Sequence, residues 1–303
     1  MSPRLAVITP TYARDLPLFA RLHASAGEFL APDCDHVVIV PGVDRRAFAR
    51  FVDDRTRILA VEDVVPGRIF LLPRSLNILR SGRDVWLTLR TAPIRGWIMQ
   101  QIVKLAAAAV VDRDVLLIMD SDLVFTRPVG VGDFVRDGKV RLYKQCGTTA
   151  HLPSHQRWYR SSAQLLGVEE SRFFGDNYVS PAISWSRPVL IRLLRHLEVI
   201  SGWAWWLTLA RTLHLSEYIL YGAYADAVLG AEANHYHDPD DHFLNSWDFN
   251  LLAPGGEGTF LAALRPDHLG VHVDSQLPLA IADRNRLLDR LRARAAEIRA
   301  RAE

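Results

Sequence analysis

An α/β fold with a mostly parallel central sheet and helices on both faces is what this sequence predicts, and three features predict it. Short β-branched apolar runs alternate with helical patterns through the first third of the chain. An Ala-rich helical stretch then leads into a short, wholly apolar run near the middle. That run breaks off on two carboxylates. Alternation of period-two and period-3.6 patterning argues for βαβ units, and an apolar run without alternation argues for a strand covered on both faces.

Taken in order, LAVIT (residues 5–9) reads as the first strand, Leu16 to Phe29 as a helix and HVVIV (36–40) as the second strand. Arg45 to Val52 follows as a helix and RILAV (57–61) as the third strand. Gly96 to Val111 (GWIMQQIVKLAAAAVV) is rich in good helix formers, and the charged turn Asp112-Arg113-Asp114 separates it from the strand VLLIM (115–119). After Asp120-Ser121-Asp122 the apolar pattern resumes as LVF and stops at Pro128. Beyond it Trp and Tyr become more frequent, with helices read at Arg187 to Leu197 and Trp203 to His214. From Asp283 to the end, Leu287, Leu288, Leu291 and Ile298 recur at helical spacing and predict a terminal helix.

The 303 residues include 36 basic and 34 acidic ones, a balance that gives no general field for holding a nucleic acid. Cys34 and Cys146 stand far apart with no second Cys at ligand or redox spacing, so no zinc knuckle or disulfide framework is indicated, and a reducing cytoplasm fits best. The N-terminal apolar segment is too short for a signal-peptide core. The longest uncharged apolar run, Val199 to Ala210, has twelve residues, whereas about twenty are needed to span a bilayer. It reads as a core, interface or surface-lying helix, which leaves room for peripheral membrane contact.

Two carboxylates separated by one residue at a strand end can hold a hard divalent cation, because Mg²⁺ and Mn²⁺ prefer oxygen ligands and keep waters and phosphate oxygens. A D-x-D triplet by itself is often only a turn or a helix cap. Here LLIMDSDLVF puts both acids directly after a buried run, where unpaired charge is costly. On the preceding helix, Trp97, Gln100, Gln101 and Lys104 form one polar-aromatic face. Pointed at the strand ends, that face would bring Lys104 to a diphosphate and the glutamines to a sugar; otherwise it is a solvated face.

These elements together, Gly96-Trp97 with Gln100-Gln101 and Lys104-Leu105, Met119 to Asp122, Ser216-Glu217-Tyr218 with Leu220-Tyr221-Gly222, and a late His272, resemble bacterial GT-A glycosyltransferases, in particular a poorly characterised DUF-type family. The resemblance runs from Thr9 to about Gln276. It implies a GT-A, Rossmann-like fold and a hexosyltransferase-like enzyme that uses Mn²⁺ or Mg²⁺. The implied reaction moves a sugar from a nucleoside diphosphate donor, UDP-sugar favoured, to a hydroxyl of a glycan or small-molecule acceptor. It divides residues 1–280 into a donor half (1–128) and an acceptor-side half (129–280), followed by the C-terminal helix 281–303.

Residue by residue, the resemblance implies that Asp120 and Ser121 contact the donor, Asp120 through the metal. Asp122 ligates the metal directly and His272 completes the site, with His268 as the other late histidine. The turn Thr9-Pro10-Thr11-Tyr12-Ala13-Arg14 resembles a nucleotide-facing loop. Glu217 stands where inverting members carry their catalytic base; the plainer reading makes Ser216 an N-cap and Glu217 a first-turn acid. FFGDNYVSPAISWSR (173–187) and Trp203, Trp205 and Trp206 offer aromatic faces for a sugar, and HYHDPDDH (235–242) reads as an exposed loop more than a metal cluster. Two other classes remain as alternatives: a D-x-D phosphohydrolase, and a sugar-nucleotide or glycan binder without catalysis.

Overall fold

A computed structural model of the chain describes residues 3–73 and 84–301. Its five-stranded central sheet has β1 (Leu5–Pro10) in the middle. β2 (Asp35–Val40) and β3 (Thr56–Ala60) extend it on one side, all parallel. On the other side of β1 lies the strand Val115–Met119, parallel, and then Ala182–Ser186, antiparallel, with Ala182 opposite Met119. The predicted α/β class with a mostly parallel sheet is therefore what forms.

Why these runs make a two-sided sheet is visible in β1. Ala6 and Ile8 pack to one face with the helix Gly96–Val110, whereas Leu5 and Val7 pack to the other with Phe19, Leu22 and Ala26 of α1 (Leu16–Phe29). Side chains alternate across a strand, so both neighbours must be apolar when both faces are covered. The helices Pro153–Leu166, Arg187–Ser201 and Glu217–Ala223 share the first face.

A second, three-stranded sheet positions the site. Leu123–Phe125 pairs antiparallel with Gly270–His272, which pairs in parallel with Phe243–Asn245. Its outer side carries a separate apolar cluster that includes Leu287, Leu288 and Leu291 of the helix Ile281–Ala300. Ala302 and Glu303, the end of the predicted helix, lie outside the described residues.

Four local predictions need correction. The apolar run 199–210 is not one helix: Gly202 takes φ +70° and closes Arg187–Ser201, and a separate short helix, Trp205–Ala210, follows. The predicted helix over Trp203 to His214 shrinks to that segment. Residues 45–52 give a single α-turn, Arg45–Phe48, running into a 3₁₀ turn, because only Phe48 is fully buried there. HYHD is a strand, His235–Asp238, paired in parallel with Lys139–Tyr143 rather than an exposed loop; Arg141, a buried residue of that partner strand, binds Asp238 at 2.8 Å. No described helix is long and apolar enough to cross a membrane.

Candidate functional site

Strand order reverses at the centre of the sheet: β2 and β3 follow on one side of β1, and Val115–Met119 on the other. Such a switch point leaves a crevice at the carboxyl ends of the two strands, where open α/β sheets bind ligands. Two of the predicted segments emerge there. The turn after β1 carries Thr11, Tyr12 and Asp15, and Asp120-Ser121-Asp122 ends the neighbouring strand. Thr11 Oγ1 donates to Ser121 Oγ at 3.3 Å and joins the two. Asp44, in the PGVD turn after β2, accepts from the Ala13 amide at 2.9 Å and anchors the loop. Thr9, expected to face a nucleotide, is fully buried with its hydroxyl 3.1 Å from His36 Nε2, and Pro10 is buried beside it.

Asp122 is held by the second sheet. The pairing of Leu123 with His272 brings the Val273 amide to the Asp122 carbonyl at 3.1 Å and the Ser275 amide to Asp122 Oδ2 at 2.8 Å. His272 Nε2 stands 3.5 Å from the same Oδ2. Asp122 Oδ1 is buried with no hydrogen-bond partner among the described residues. Burial pushes this carboxyl up, but the bonds from His272 and Ser275 outweigh it, and it lies below the ordinary value.

Asn245 Oδ1 accepts from the Trp247 amide at 3.0 Å and lies 3.0 Å from His272 Nδ1, so Nδ1 carries the proton. Nε2 is then left facing the Asp122 carboxylate. An outer hydrogen bond that fixes the ring this way is the usual support of a metal-binding histidine. His268, the other late histidine, accepts from the Arg265 amide at 3.1 Å and is pushed down to about 4 by burial, and among the described contacts none joins it to Asp122.

Asp120 does not join that pair. Its Oδ1 accepts from Gln100 Nε2 at 3.3 Å and from Lys104 Nζ at 3.1 Å. The Trp97–Lys104 face of the helix Gly96–Val110 thus does point at the strand ends, and Gln101 and Lys104 are buried in it rather than solvated. Lys104, expected to meet a diphosphate, has its three ammonium donors engaged inside the protein: Asp120, Glu217 Oε1 at 3.0 Å and Tyr218 Oη at 2.9 Å. Burial opposes its charge, yet the two carboxylates prevail and hold it well above the ordinary lysine value. Glu217, expected as a base, has a side chain only 6% exposed and is paired to this ammonium. Its backbone amide donates to Gln101 Oε1 at 3.1 Å, while Ser216 caps the helix through the Ile219 amide.

Among the described residues no group of three or more His, Cys, Asp or Glu converges as a ready metal cage. The two donors Asp122 and His272, one with an orphaned oxygen, suit a cation that completes its shell with phosphate oxygens and water.

Sequence reasoning missed two members of this neighbourhood. Asp15 is raised to about 6, first by burial and then by the charges of Asp122 and Asp120, so three acids share the crevice. It was legible in TPTYARD as the acid closing the turn. Arg284, from the C-terminal helix, is buried, donates to the Val273 and Asp274 carbonyls, and lies within electrostatic reach of Asp122 and Asp15. Nothing in its helical pattern marks it out from the other arginines there.

Fold and site together define an α/β protein with an acid-rich crevice at the switch point of a mostly parallel sheet. The chain belongs to the family of unknown function DUF6492, whose profile matches residues 4–251. Asp15, Lys104, Asp120, Asp122 and Glu217 lie inside the matched stretch, and His272 and Arg284 lie beyond it. No curated protein matches the chain.

Proposed function

We propose that the protein is a metal-dependent glycosyltransferase of the GT-A kind, moving a sugar from a nucleoside diphosphate donor to a hydroxyl of a glycan or small-molecule acceptor. The observation that carries this reading is the buried Asp122 Oδ1, without a hydrogen-bond partner among the described residues, beside a His272 ring whose Nε2 stands 3.5 Å from the other oxygen of the same carboxylate. A buried carboxylate oxygen without a partner is costly unless a ligand completes it. Asp122 and His272 would hold Mn²⁺ or Mg²⁺, which when bound neutralises the charge that develops on a departing diphosphate.

The remaining residues supply orientation. Thr11 and Tyr12 border the crevice from the β1 side, where a nucleotide would lie. Asp120 is fixed by Gln100 and Lys104, and with 39% of its side chain exposed it is free to meet donor hydroxyls. Glu217 enters this reading as the group that neutralises Lys104 and, through it, steadies Asp120. The Glu217 side chain is only 6% exposed and its Oε1 is taken up by the buried ammonium, so the inverting mechanism with Glu217 as base draws no support from its surroundings.

The test is a thermal-shift panel of UDP, GDP, dTDP and CDP with and without Mn²⁺, on the native protein and on Asp122→Ala. At least one diphosphate should raise Tm only with Mn²⁺, and Asp122→Ala should erase the effect. A shift indifferent to chelator, or untouched in the variant, would sink the metal assignment.

A further inference from the structure

The tryptophans that the sequence offers as sugar platforms are mostly unavailable. Trp205 and Trp206 are buried, and Trp203, though exposed, has one ring face against the Arg211 guanidinium, 4.5 Å from its centroid. A different aromatic face is open beside the D-x-D triplet. Trp97, 47% exposed, lies 6.2 Å from Trp158 at an interplanar angle of 32°, and His155 lies 4.8 Å from Trp158. Trp97 precedes Gln100, the partner of Asp120, by one helical turn, so this face adjoins the crevice.

Its far side is made of side-chain amides. Asn177 lies within electrostatic reach of the His155 ring, and its Nδ2 donates to Gln145 Oε1 at 3.4 Å. Both amides are half-buried, so each is held in place, and each retains donor and acceptor capacity towards solvent. The isolated bridge between Gln145 and Asn177 fixes their backbones together.

From this juxtaposition we infer that Trp97, Trp158, His155, Asn177 and Gln145 form the acceptor-binding shelf and that its ligand is a saccharide. A pyranose presents an apolar C–H face and a rim of hydroxyls that both donate and accept. Indole faces match the first and fixed amides match the second. An anionic ligand would require cationic donors on the shelf itself, and none of these five residues is a lysine or arginine. The inference rests on the glycosyltransferase reading for the word acceptor; saccharide binding by itself does not.

The experiment is saturation-transfer NMR of the full chain with neutral di- to hexasaccharides of the malto, cello, manno and chito series. At least one should bind through its ring C–H protons. Trp97→Ala and Trp158→Ala should weaken that binding about tenfold, and Trp97→Tyr should restore most of it. The Mn²⁺-dependent thermal shift with nucleoside diphosphate should be unchanged in all three, which separates loss of the shelf from loss of the donor site. No saccharide binding at millimolar concentration, or binding indifferent to both alanine variants, overturns the inference. If the shelf binds sugar while no diphosphate shift exists, it is the glycosyltransferase reading that fails.

Discussion

Replacing Lys104 by Met should cost about 3–5 kcal/mol, because it strands one buried carboxylate. The three groups around the ammonium differ in how water can rescue them. Asp120 is 39% exposed and resolvates; Tyr218 keeps a neutral hydroxyl; Glu217, 6% exposed, is left as a buried charge with no cation. Removing one partner of a buried ion pair has that order of cost, while the Met side chain keeps the packing of the lysine stem. At roughly 0.6 kcal/mol per kelvin of unfolding entropy for 303 residues, Tm should fall by about 5–8 °C.

Glu217→Gln leaves Lys104 with Asp120 and Tyr218 and should cost less, about 1–2 kcal/mol. The combined variant removes both charges and should be clearly more stable than the sum of the single losses predicts. Calorimetric or fluorescence melts of the four proteins close the cycle. Additivity within about 0.5 kcal/mol would refute the reasoning, since non-interacting sites add to that precision.

Two further outcomes follow from other parts of the fold. A Cβ at Gly270 would overlap the Val124 carbonyl and the Phe243 ring, so Gly270→Ala should push the His272 strand off Leu123–Phe125. The expected cost is about 1–3 kcal/mol, together with loss of the Mn²⁺-dependent diphosphate shift, and both are read in one thermal-shift plate. Acid should destabilise the protein through three histidines that burial lowers, His36 to about 3 and His242 and His268 to about 4. Their stabilisation is complete above the unfolded value of about 6.5. As pH falls below that, the unfolded chain takes up protons that the folded one refuses, and each imidazole removes up to about 1.4 kcal/mol per pH unit until its folded value is reached. Urea midpoints that stay level between about pH 7 and pH 5 would contradict this.

The local content of the fold was legible because burial on both faces leaves a local mark. LAVIT, HVVIV and VLLIM needed no partner to be recognised, and the D-x-D triplet announced itself by ending an apolar run. The helix Gly96–Val110 was equally plain, as was the Ser216 cap. Where spacing misled, a neighbour outside the window was responsible. HYHD is polar enough to pass for a loop, and only pairing with Lys139–Tyr143, whose Arg141 is buried, makes it a strand.

The grouping of side chains had to come from tertiary structure. Sequence could nominate Asp120, Asp122, Glu217 and His272, but spacing along the chain says nothing about which of them share a cation. The fold splits them, sending Asp122 to His272 through the register of a second sheet and Asp120 to Glu217 through Lys104. It also draws in Asp15 and Arg284, and it decides that Trp97 is exposed and Trp158 half-buried while Trp205 and Trp206 are buried. The physical reason is that periodicity records whether a residue is buried, whereas partnership depends on strand order and register, which are set by contacts between distant segments, such as the bond between residues 153 apart that joins Ser275 to Asp122.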